Sequence, residues 1–345
     1  MAQGFSQRPG IDYEETYSPV MDAIIFRFFI SLVVTENLDM RLMDVVTAYL
    51  YRSLDNDIYM KIPEGYKMPE AYTSKSRNMY SIKLQRSLYG FKQSDRMWYN
   101  RLSEYLLKEG FENNSICPCV FIKKSESGFA IVAVYVDDLN VVGTPKELTK
   151  TVDYLKNEFE MKDLGKTKFC LGLQIEHLSD GILIHQSTYI EKVLKHFHVD
   201  KAHPLSTQMV VRSLDVKKDH FHPQEVGEET LGPEVPYLSA IGALMYLANC
   251  TRLDIGFSVN LLARYSFAPT LRHWNRVKHV LRYLRGTPDM GLFYPNKSNS
   301  QLVGYADAGY LSDPHKSQSQ TGYLFTCGNT TISWRSVKQT ISATS

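Results

Sequence analysis

Two adjacent carboxylates, Asp137 and Asp138, stand within an otherwise largely apolar run over residues 131–142. They could simply form the turn of a hairpin, because Asp and Asn favour turns. They could also lift a carboxylate to the surface of a sheet as a metal ligand, since Mg²⁺ takes hard oxygen ligands, usually one or two carboxylates completed by substrate phosphates. These residues alone leave both interpretations open.

A third carboxylate, Asp44, follows a predicted apolar strand over residues 38–43 and precedes a short helix-like piece that contains Tyr49. It could supply a second metal ligand, with the tyrosine ring forming a wall against a sugar. It could equally cap the N-terminus of the helix. The residue types therefore suggest a metal site without requiring one.

Two basic regions have the composition needed to contact phosphates. Residues 75–108 combine interleaved aromatic residues with eight cations, and aromatic rings favour contact with nucleic-acid bases. Residues 264–287 contain no acid and predict a helix with one apolar face and one exposed basic face. Ordinary solvated surfaces would have the same composition, so both alternatives stay open. The cations of the first region are Lys75, Arg77, Lys83, Arg86, Lys92, Arg96, Arg101 and Lys108.

The elements that must position these groups are a mixture of strands and helices. Periodicity predicts helices at 24–34, 146–159, 188–197 and 237–284, and strands at 128–142, 170–186 and from 292 onward. Asp180-Gly181 is typical of a hairpin turn. The acidic, Pro- and Gly-rich segment 210–236 is predicted to be a linker. Runs of each type, rather than strict alternation, predict the α+β class.

Composition excludes several classes of protein. At about 100–200 residues per domain, 345 residues predict two or three domains. Apolar residues make up 43% and charged residues 22%, which excludes a disordered chain, and a net charge of +2 favours no class of partner. The five cysteines form no disulfide framework, and the most apolar stretch, 23–34, is too short to span a bilayer. We therefore expect a cytoplasmic protein without membrane contact.

Beyond these patterns, the chain resembles a known family. Tyr135-Val136-Asp137-Asp138 resembles the active-site box of reverse transcriptases, and Asp44 with Ala48-Tyr49 resembles their first-aspartate motif. Further segments resemble, in family order over essentially the whole chain, the Pol polyprotein of copia-type LTR retrotransposons. They include Gln3-Gly4-Phe5, Tyr17-Ser18-Pro19-Val20, Ser87-Leu88-Tyr89-Gly90, Lys162-Asp163-Leu164-Gly165, Arg282-Tyr283-Leu284-Arg285-Gly286-Thr287 and Gly304-Tyr305-Ala306-Asp307.

The resemblance implies nucleotidyl transfer from dNTPs to the 3′-hydroxyl of a DNA primer on an RNA template. Two Mg²⁺ ions, for which Mn²⁺ can substitute, would assist the transfer. Asp44 and Asp137 would be the metal ligands. Asp138 would be a supporting carboxylate, and together the three would form the catalytic set.

The resemblance also assigns residues that bind the substrates. Tyr49 would be a steric gate that rejects ribonucleotides by bulk rather than by hydrogen bonding. Tyr89 and Gly90 would form the floor of the nucleotide pocket. Leu171, Gly172 and Leu173 lie in the hairpin that resembles the primer grip.

The implied fold is a right hand of fingers, palm and thumb, followed by a truncated RNase H-like α/β domain. Fingers and palm would span residues 1–185, beginning within the fingers. A mostly helical thumb and linker would span 186–290, and the incomplete RNase H-like domain 291–345. The oligomeric state stays open.

In the last domain, Asp307 would be the one residue matching the RNase H carboxylate cluster. The family's glutamate would follow Ser345, and Asp313 is expected in a polar loop that nothing fixes. RNase H activity is therefore expected to be absent. Residues 302–345 are expected to expose apolar surface, unless they pack on the thumb, and to be the least stable part.

Some positions depart from the family pattern. The departures are Arg52 for glycine, Asp95 for proline in a template-facing loop, Gln208 and Leu253 for prolines, and Gly309-Tyr310 for Asp-Trp. Two hypotheses follow: an RNA-directed DNA polymerase fragment, or a catalytically dead remnant that at most binds nucleic acid. Metal-dependent primer extension distinguishes them.

Overall fold

The helices form where apolar residues recur on one face, and the computed structural model gives their bounds. It describes residues 4–54, 56–72, 74, 76–213, 215–216, 219–296, 301–315 and 318–340; Gln3, Lys75 and Ser345, named above, lie outside the described residues. The helices are α1 Ala23–Thr35, α2 Ser94–Lys108, α3 Pro145–Glu158, α4 Ser187–His196, α5 Tyr237–Cys250, α6 Gly256–Ala263 and α7 Leu271–Gly286.

The strands follow the apolar runs between these helices. They are β1 Asp39–Val45, β2 Tyr59–Lys61, β3 Ser81–Lys83, β4 Glu112–Asn113, β5 Val120–Ser125, β6 Gly128–Tyr135, β7 Asp138–Gly143, β8 Met161–Lys166, β9 Phe169–Cys170, β10 Leu173–His177, β11 Gly181–His185, β12 Leu292–Pro295, β13 Leu302–Asp313, β14 Gln318–Cys327 and β15 Thr330–Lys338. The predicted mixture of helices and strands is confirmed. No helix of the described residues is long and apolar enough to cross a membrane.

The chain divides into two compact units. The first contains Met1–Met21 and Asp39–Thr167, and the second contains Asp22–Leu38 and Lys168–Ser345. In the first unit, six strands form a sheet in the order β4-β5-β6-β7-β1-β8, and every pairing is antiparallel. Its core packs this sheet against α2 and α3, and Trp98 and Phe159 are among its largest buried side chains.

The interior of the first sheet explains the apolar run noted in the sequence. Five consecutive residues of β6, from 130 to 134, are buried. A strand covered on both faces loses the usual alternation of apolar and polar residues. The run therefore marks β6 and β7 as central strands.

In the second unit, two sheets accompany a helical core. One sheet has the order β12-β11-β10-β9 and the other β13-β14-β15. Helices α4 to α7 bury a shared apolar cluster that includes Leu244, Leu261 and Val277. Helix α1 contacts β11, β12 and β15. Its first turn is capped by Asp22, whose Oδ1 accepts a hydrogen bond from the Ile25 amide at 2.8 Å.

The segment predicted to be a linker is packed within the second unit. Its described residues form no helix or strand, in agreement with their Pro and Gly content. Phe221 and Asp219 are nevertheless buried, and Glu228 pairs with Arg272 at 2.7 Å. The composition therefore predicts the irregular backbone of these described residues, but it does not indicate that some of their side chains are buried.

The sheet β13-β14-β15 packs on helices of its own unit. Trp334 Nε1 donates a hydrogen bond to the Ala248 carbonyl at 2.8 Å, and β15 contacts α1 and α6. Leu302, Tyr305 and Phe325 stay exposed. The expected exposed apolar surface is thus present on part of this sheet, while β15 is covered.

The guanidinium of Arg27 joins α1 to this packing. It donates hydrogen bonds to the carbonyls of Ile332, Asn249 and Cys250 at 2.7, 2.9 and 2.8 Å, and it lies 4.1 Å from the ring centroid of Trp334. Three carbonyls from distant parts of the chain therefore depend on one buried cation.

We expect Arg27→Ala to lower the free energy of unfolding by about 3 kcal/mol or more, because it leaves buried carbonyls without donors. Urea unfolding followed by circular dichroism measures the change. Arg335→Ala, which removes an exposed arginine from β15, is the matched control and should change stability by less than about 0.5 kcal/mol. Similar effects of the two substitutions would contradict the assigned role of Arg27.

Candidate active site

Strand pairing brings three carboxylates together at one end of the first sheet. Asp44, the sixth residue of β1, lies opposite Asp138, the first residue of β7. The carbonyl of Asp137 accepts a hydrogen bond from the Val45 amide at 2.9 Å. The convergence expected from the sequence is therefore observed, although 93 positions separate Asp44 from Asp137.

The turn that presents Asp137 has only two residues. Tyr135 pairs with Asp138, so Val136 and Asp137 connect β6 directly to β7. Val136 has φ +53°, the left-handed region that a β-branched residue rarely adopts. Such a conformation costs on the order of 1–3 kcal/mol and persists where neighbours enforce it. Here Trp98 Nε1 donates to the Val136 carbonyl at 2.8 Å.

The two oxygens of the Asp137 carboxylate have different surroundings. Oδ2 accepts a hydrogen bond from the Tyr89 hydroxyl at 3.0 Å, whereas Oδ1 is buried without a hydrogen-bond partner among the described residues. Burial is the main cause that raises the pKa of Asp137; the Tyr89 hydrogen bond opposes it, and the charges of Asp44 and Asp95 add to it.

The pKa of Asp138 is raised as well. Burial is again the largest cause, followed by repulsion from Asp44 and Asp137. The repulsion expected from the sequence therefore contributes, but desolvation is the larger effect. Both carboxyl groups hold their protons more tightly in the folded chain than in an exposed position.

Asp44 faces a cation on its other side. Lys162 of β8 is its cross-strand partner, and Lys162 Nζ lies 3.7 Å from Asp44 Oδ2. The lysine side chain is 66% exposed. An exposed pair at this distance contributes little to stability. Lys162 can therefore move away from Asp44 at little cost in free energy.

The two tyrosines expected in a nucleotide pocket lie in contact. The ring centroids of Tyr49 and Tyr89 are 4.3 Å apart, and the Tyr49 hydroxyl donates a hydrogen bond to Asp95 Oδ1. Burial, followed by the hydrogen bond to Asp137, raises the pKa of Tyr89 to about 12. Gly90 has φ +101°, a conformation that favours glycine directly after Tyr89.

A cavity of about 870 Å³ adjoins Tyr89, whereas Tyr49 does not line it. Its lining includes Tyr89, Leu88, Thr47 and residues 58–63. Tyr89 therefore contacts both the cavity and Asp137, and it is the structural connection between the two.

The donor set at this site suits Mg²⁺ in kind. Asp44, Asp137 and Asp138 offer only oxygen ligands, and the unpartnered Oδ1 of Asp137 is a buried acceptor available to a cation. Within the described part of the chain, however, no group of three or more His, Cys, Asp or Glu side chains is arranged to hold a metal ion. A metal here would take its remaining ligands from water or from a substrate.

The other expected site residues lie in the second unit. Leu171 and Gly172, both with positive φ, connect β9 to β10, and Leu173 is buried. The Tyr246 hydroxyl donates to the Leu171 carbonyl at 2.8 Å. A Cβ at Gly172 would lie 2.2 Å from the Tyr246 oxygen, so this contact requires glycine.

Asp307 and Asp313 occupy the same strand in different environments. Asp307 is exposed on β13 opposite Gly322. Asp313 is buried at the end of β13 and pairs with Lys338 at 2.6 Å and Arg264 at 3.4 Å. Burial tends to raise the pKa of Asp313, but these cations and the His315 amide lower it overall. The prediction of an unfixed loop at Asp313 was wrong, because distant cations hold it.

The basic residues of α7 are largely used inside the second unit. Arg282 and Arg285 donate to the carbonyls of His203 and Asp200 at 2.7 and 2.6 Å, and Arg272 pairs with Glu228. The sequence predicted the helix and its apolar face correctly. It could not indicate that the carbonyls of Asp200 and His203 and the carboxylate of Glu228 occupy these guanidinium groups.

Sequence reasoning missed three contacts at the site. They are the donor Trp98 on the turn, the cation Lys162 opposite Asp44, and the acceptor Asp95 on Tyr49. Of these, Asp95 had a signal in the sequence, since it departs from the family pattern there. The other two depend on pairing and packing that no local motif encodes.

The sequence is similar to one family model and to several transposon proteins. Residues 1–211 match the family model described as reverse transcriptase (RNA-dependent DNA polymerase). Over 98% of its length the chain is 38% identical to a retrovirus-related Pol polyprotein from transposon TNT 1-94 of Nicotiana tabacum, and 34% identical to one from transposon RE2 of Arabidopsis thaliana. It covers 25% and 22% of those proteins, so it spans about a quarter of their length.

A shorter relative is covered almost completely. The chain is 31% identical, over 86% of its own length and 92% of the relative's, to a putative transposon Ty5-1 protein of Saccharomyces cerevisiae.

We expect Asp137→Asn to make the folded protein more stable than wild type at neutral pH. A carboxyl whose folded pKa is raised stabilises the fold fully below the unfolded value, here 3.8, and loses that contribution as the pH rises through the folded value. Each unit of such a shift costs about 1.4 kcal/mol once the group is ionised. The amide removes this cost and keeps an acceptor for Tyr89.

Urea unfolding from below pH 3.8 to neutral pH measures the effect. The difference between Asp137→Asn and wild type should grow as the pH rises. Asp153→Asn, which removes an exposed carboxylate from α3, controls for the loss of one charge. A difference that stays constant over the whole range would contradict the raised pKa.

Proposed function

The chain belongs to the reverse transcriptase (RNA-dependent DNA polymerase) family, and from that premise we propose that it extends DNA primers on RNA templates as part of a copia-type retrotransposon Pol polyprotein. The observation that carries the proposal is the meeting of Asp44, Asp137 and Asp138 at one end of β1 and β7, with one buried carboxylate oxygen that has no hydrogen-bond partner within the described part of the chain. That arrangement suits a cation completed by substrate phosphates.

In this proposal Asp44 and Asp137 hold two Mg²⁺ ions, which Mn²⁺ can replace. When bound, such ions lower the pKa of the primer 3′-hydroxyl and stabilise the departing pyrophosphate. Asp137 offers Oδ1 to the metal, while the Tyr89 hydroxyl holds Oδ2 and thereby fixes the rotation of the carboxylate. Lys162 is replaced by the metal ion beside Asp44. Asp138 adds negative charge without being a required ligand.

The substrates are an RNA template, a DNA primer and dNTPs. Tyr49 acts as the steric gate and Tyr89 with Gly90 as the floor of the nucleotide pocket. The contact between the two rings supports this assignment, and the cavity that Tyr89 lines supports the place of Tyr89 in the pocket. The turn Leu171-Gly172-Leu173 acts as the primer grip.

The proposed architecture is the right hand of the family. Fingers and palm span residues 1–185, thumb and linker 186–290, and an RNase H-like region 291–345 that contains Asp307. The sheet that carries the three aspartates would belong to the palm.

A catalytically dead remnant is the second candidate. It is favoured by the departure at Asp95, which places an extra negative charge close enough to raise the pKa of Asp137. Such a charge would repel triphosphate. Primer extension by purified protein separates the two candidates.

We expect the purified chain to extend an oligo(dT) primer on poly(rA) with dTTP and Mg²⁺. Asp137→Asn and Asp44→Asn should each reduce extension about a thousandfold or more, since metal-held charge contributes several kcal/mol to such reactions. Asp153→Asn should extend primers like wild type. Absence of extension by wild type would favour the remnant, and undiminished extension by Asp137→Asn would mean a contaminating polymerase.

We expect the same protein to leave RNA in an RNA–DNA hybrid intact. Two-metal cleavage requires a cluster of carboxylates, whereas Asp307 is exposed on β13 with Gly322 as its cross-strand partner. Asp313 is held by Lys338 and Arg264. Incubation of a labelled hybrid with Mg²⁺ measures cleavage. Cleavage that disappears in Asp307→Asn would overturn this expectation.

A further inference from the structure

We propose that Asp95 is a positioning residue that fixes the ring of Tyr49 and so helps to set the discrimination between deoxyribonucleotides and ribonucleotides. This inference rests on the proposed function. It gives a role to a residue that, by resemblance, departs from the family pattern.

The contact joins two elements that are distant in sequence. Tyr49 lies in the short 3₁₀ helix Ala48–Tyr51 that follows β1, and Asp95 lies in the first turn of α2, 46 positions away. The Tyr49 hydroxyl donates to Asp95 Oδ1. Helix α2 also contacts the 3₁₀ helix. The hydrogen bond therefore fixes the outer end of a ring whose backbone is already held.

The contact continues towards the carboxylates. The rings of Tyr49 and Tyr89 lie 4.3 Å apart at an angle of 52°, and the Tyr89 hydroxyl donates to Asp137 Oδ2 at 3.0 Å. Each tyrosine is thus anchored at its hydroxyl by a different aspartate, and each ring limits the other. Tyr49 is only 9% exposed.

The restraint on the Tyr49 ring determines whether the ring can exclude a ribonucleotide. A ring excludes a 2′-hydroxyl only if it cannot move aside, and sites of this kind need side chains held to within about 0.5 Å. Tyr49 has two rotatable bonds, and the hydrogen bond to Asp95 restrains both. Selectivity should therefore depend on the acceptor at position 95 as well as on the bulk at position 49.

A structural role alone predicts a different result. A carboxylate in the first turn of a helix also stabilises it through the helix dipole. If that were the whole function of Asp95, Asp95→Ala and Asp95→Asn would both lower stability, and neither would change nucleotide selectivity. Asp95→Asn separates stabilisation of the helix from positioning of Tyr49, because the amide loses the charge but keeps an oxygen acceptor for the Tyr49 hydroxyl.

The test is single-nucleotide incorporation with matched dNTP and rNTP, comparing kcat/KM for the two. We expect Asp95→Ala and Tyr49→Phe each to raise relative rNTP use about five- to tenfold, the worth of one hydrogen bond. The double variant should show no further rise, because both changes remove the same bond. Asp95→Asn should keep the wild-type ratio, and Tyr49→Ala, which also removes the bulk, should exceed them all.

A second measurement reports on the bond without catalysis. A double-mutant cycle of Asp95→Ala and Tyr49→Phe in urea unfolding should show that the two effects are not additive. Additive effects would overturn the inference at the level of structure. If the wild type incorporates nucleotides but Asp95→Ala and Tyr49→Phe leave the ratio of kcat/KM for rNTP and dNTP unchanged, the role of Asp95 is overturned and the proposed function stands. Wild type that incorporates nothing would overturn the proposed function, and this inference with it.

Discussion

The register between β1 and β7 is the constraint on which the candidate site depends. Asp44 faces Asp138 only because Asp39 faces Gly143 at the other end of the same ladder. A slip of one residue would turn every side chain of β1 to the opposite face of the sheet. Met43 and Val45, the buried neighbours of Asp44 in the chain, would then leave the core, and Asp44 would enter it. The hydrophobic pattern of β1 therefore places the carboxylate, and the two-residue turn at Val136 places its partners.

Much of the fold was predictable because its signals are local. The apolar run at 131–142 marked central strands, and helical periodicity at 146–159 matched α3 within one residue. The partners of α1 were not predictable. That helix directly precedes β1 in the chain, yet it belongs to the other compact unit. The hydrogen-bond acceptors of Arg27 lie 222 to 305 positions away in the chain. No local pattern around an arginine in an apolar helix indicates such distant partners.

The residues of the candidate site also divide into those that local sequence motifs indicate and those that only the fold brings together. Asp44, Asp137, Tyr49 and Tyr89 could be selected because short motifs around them resemble a known family. Their hydrogen-bond partners could not, because the Tyr89–Asp137 and Tyr49–Asp95 contacts join elements 48 and 46 positions apart. Asp313 gives the opposite lesson. Its polar neighbours suggested a loose loop, but it is buried in ion pairs with Arg264, which directly follows α6, and with Lys338 of β15. The residue types determine which ligands and hydrogen-bonding groups the site can offer. Packing determines whether those groups are free to bind a substrate or are already paired within the protein.

Several unfavourable features meet at one end of the first sheet: a valine with positive φ, two carboxyl groups with raised pKa values, and a buried oxygen to which no described residue donates a hydrogen bond. Each lowers the stability of the fold, and together they are tolerated because the strands behind them are almost fully buried. The surrounding contacts hold this arrangement rather than relieve it. Trp98 fixes the turn, Tyr89 satisfies one oxygen and leaves the other, and Asp95 holds Tyr49 beside Tyr89. A cation bound between the carboxylates would offset the repulsion and the desolvation at once, whereas a site selected for stability alone would have neutral side chains at these positions.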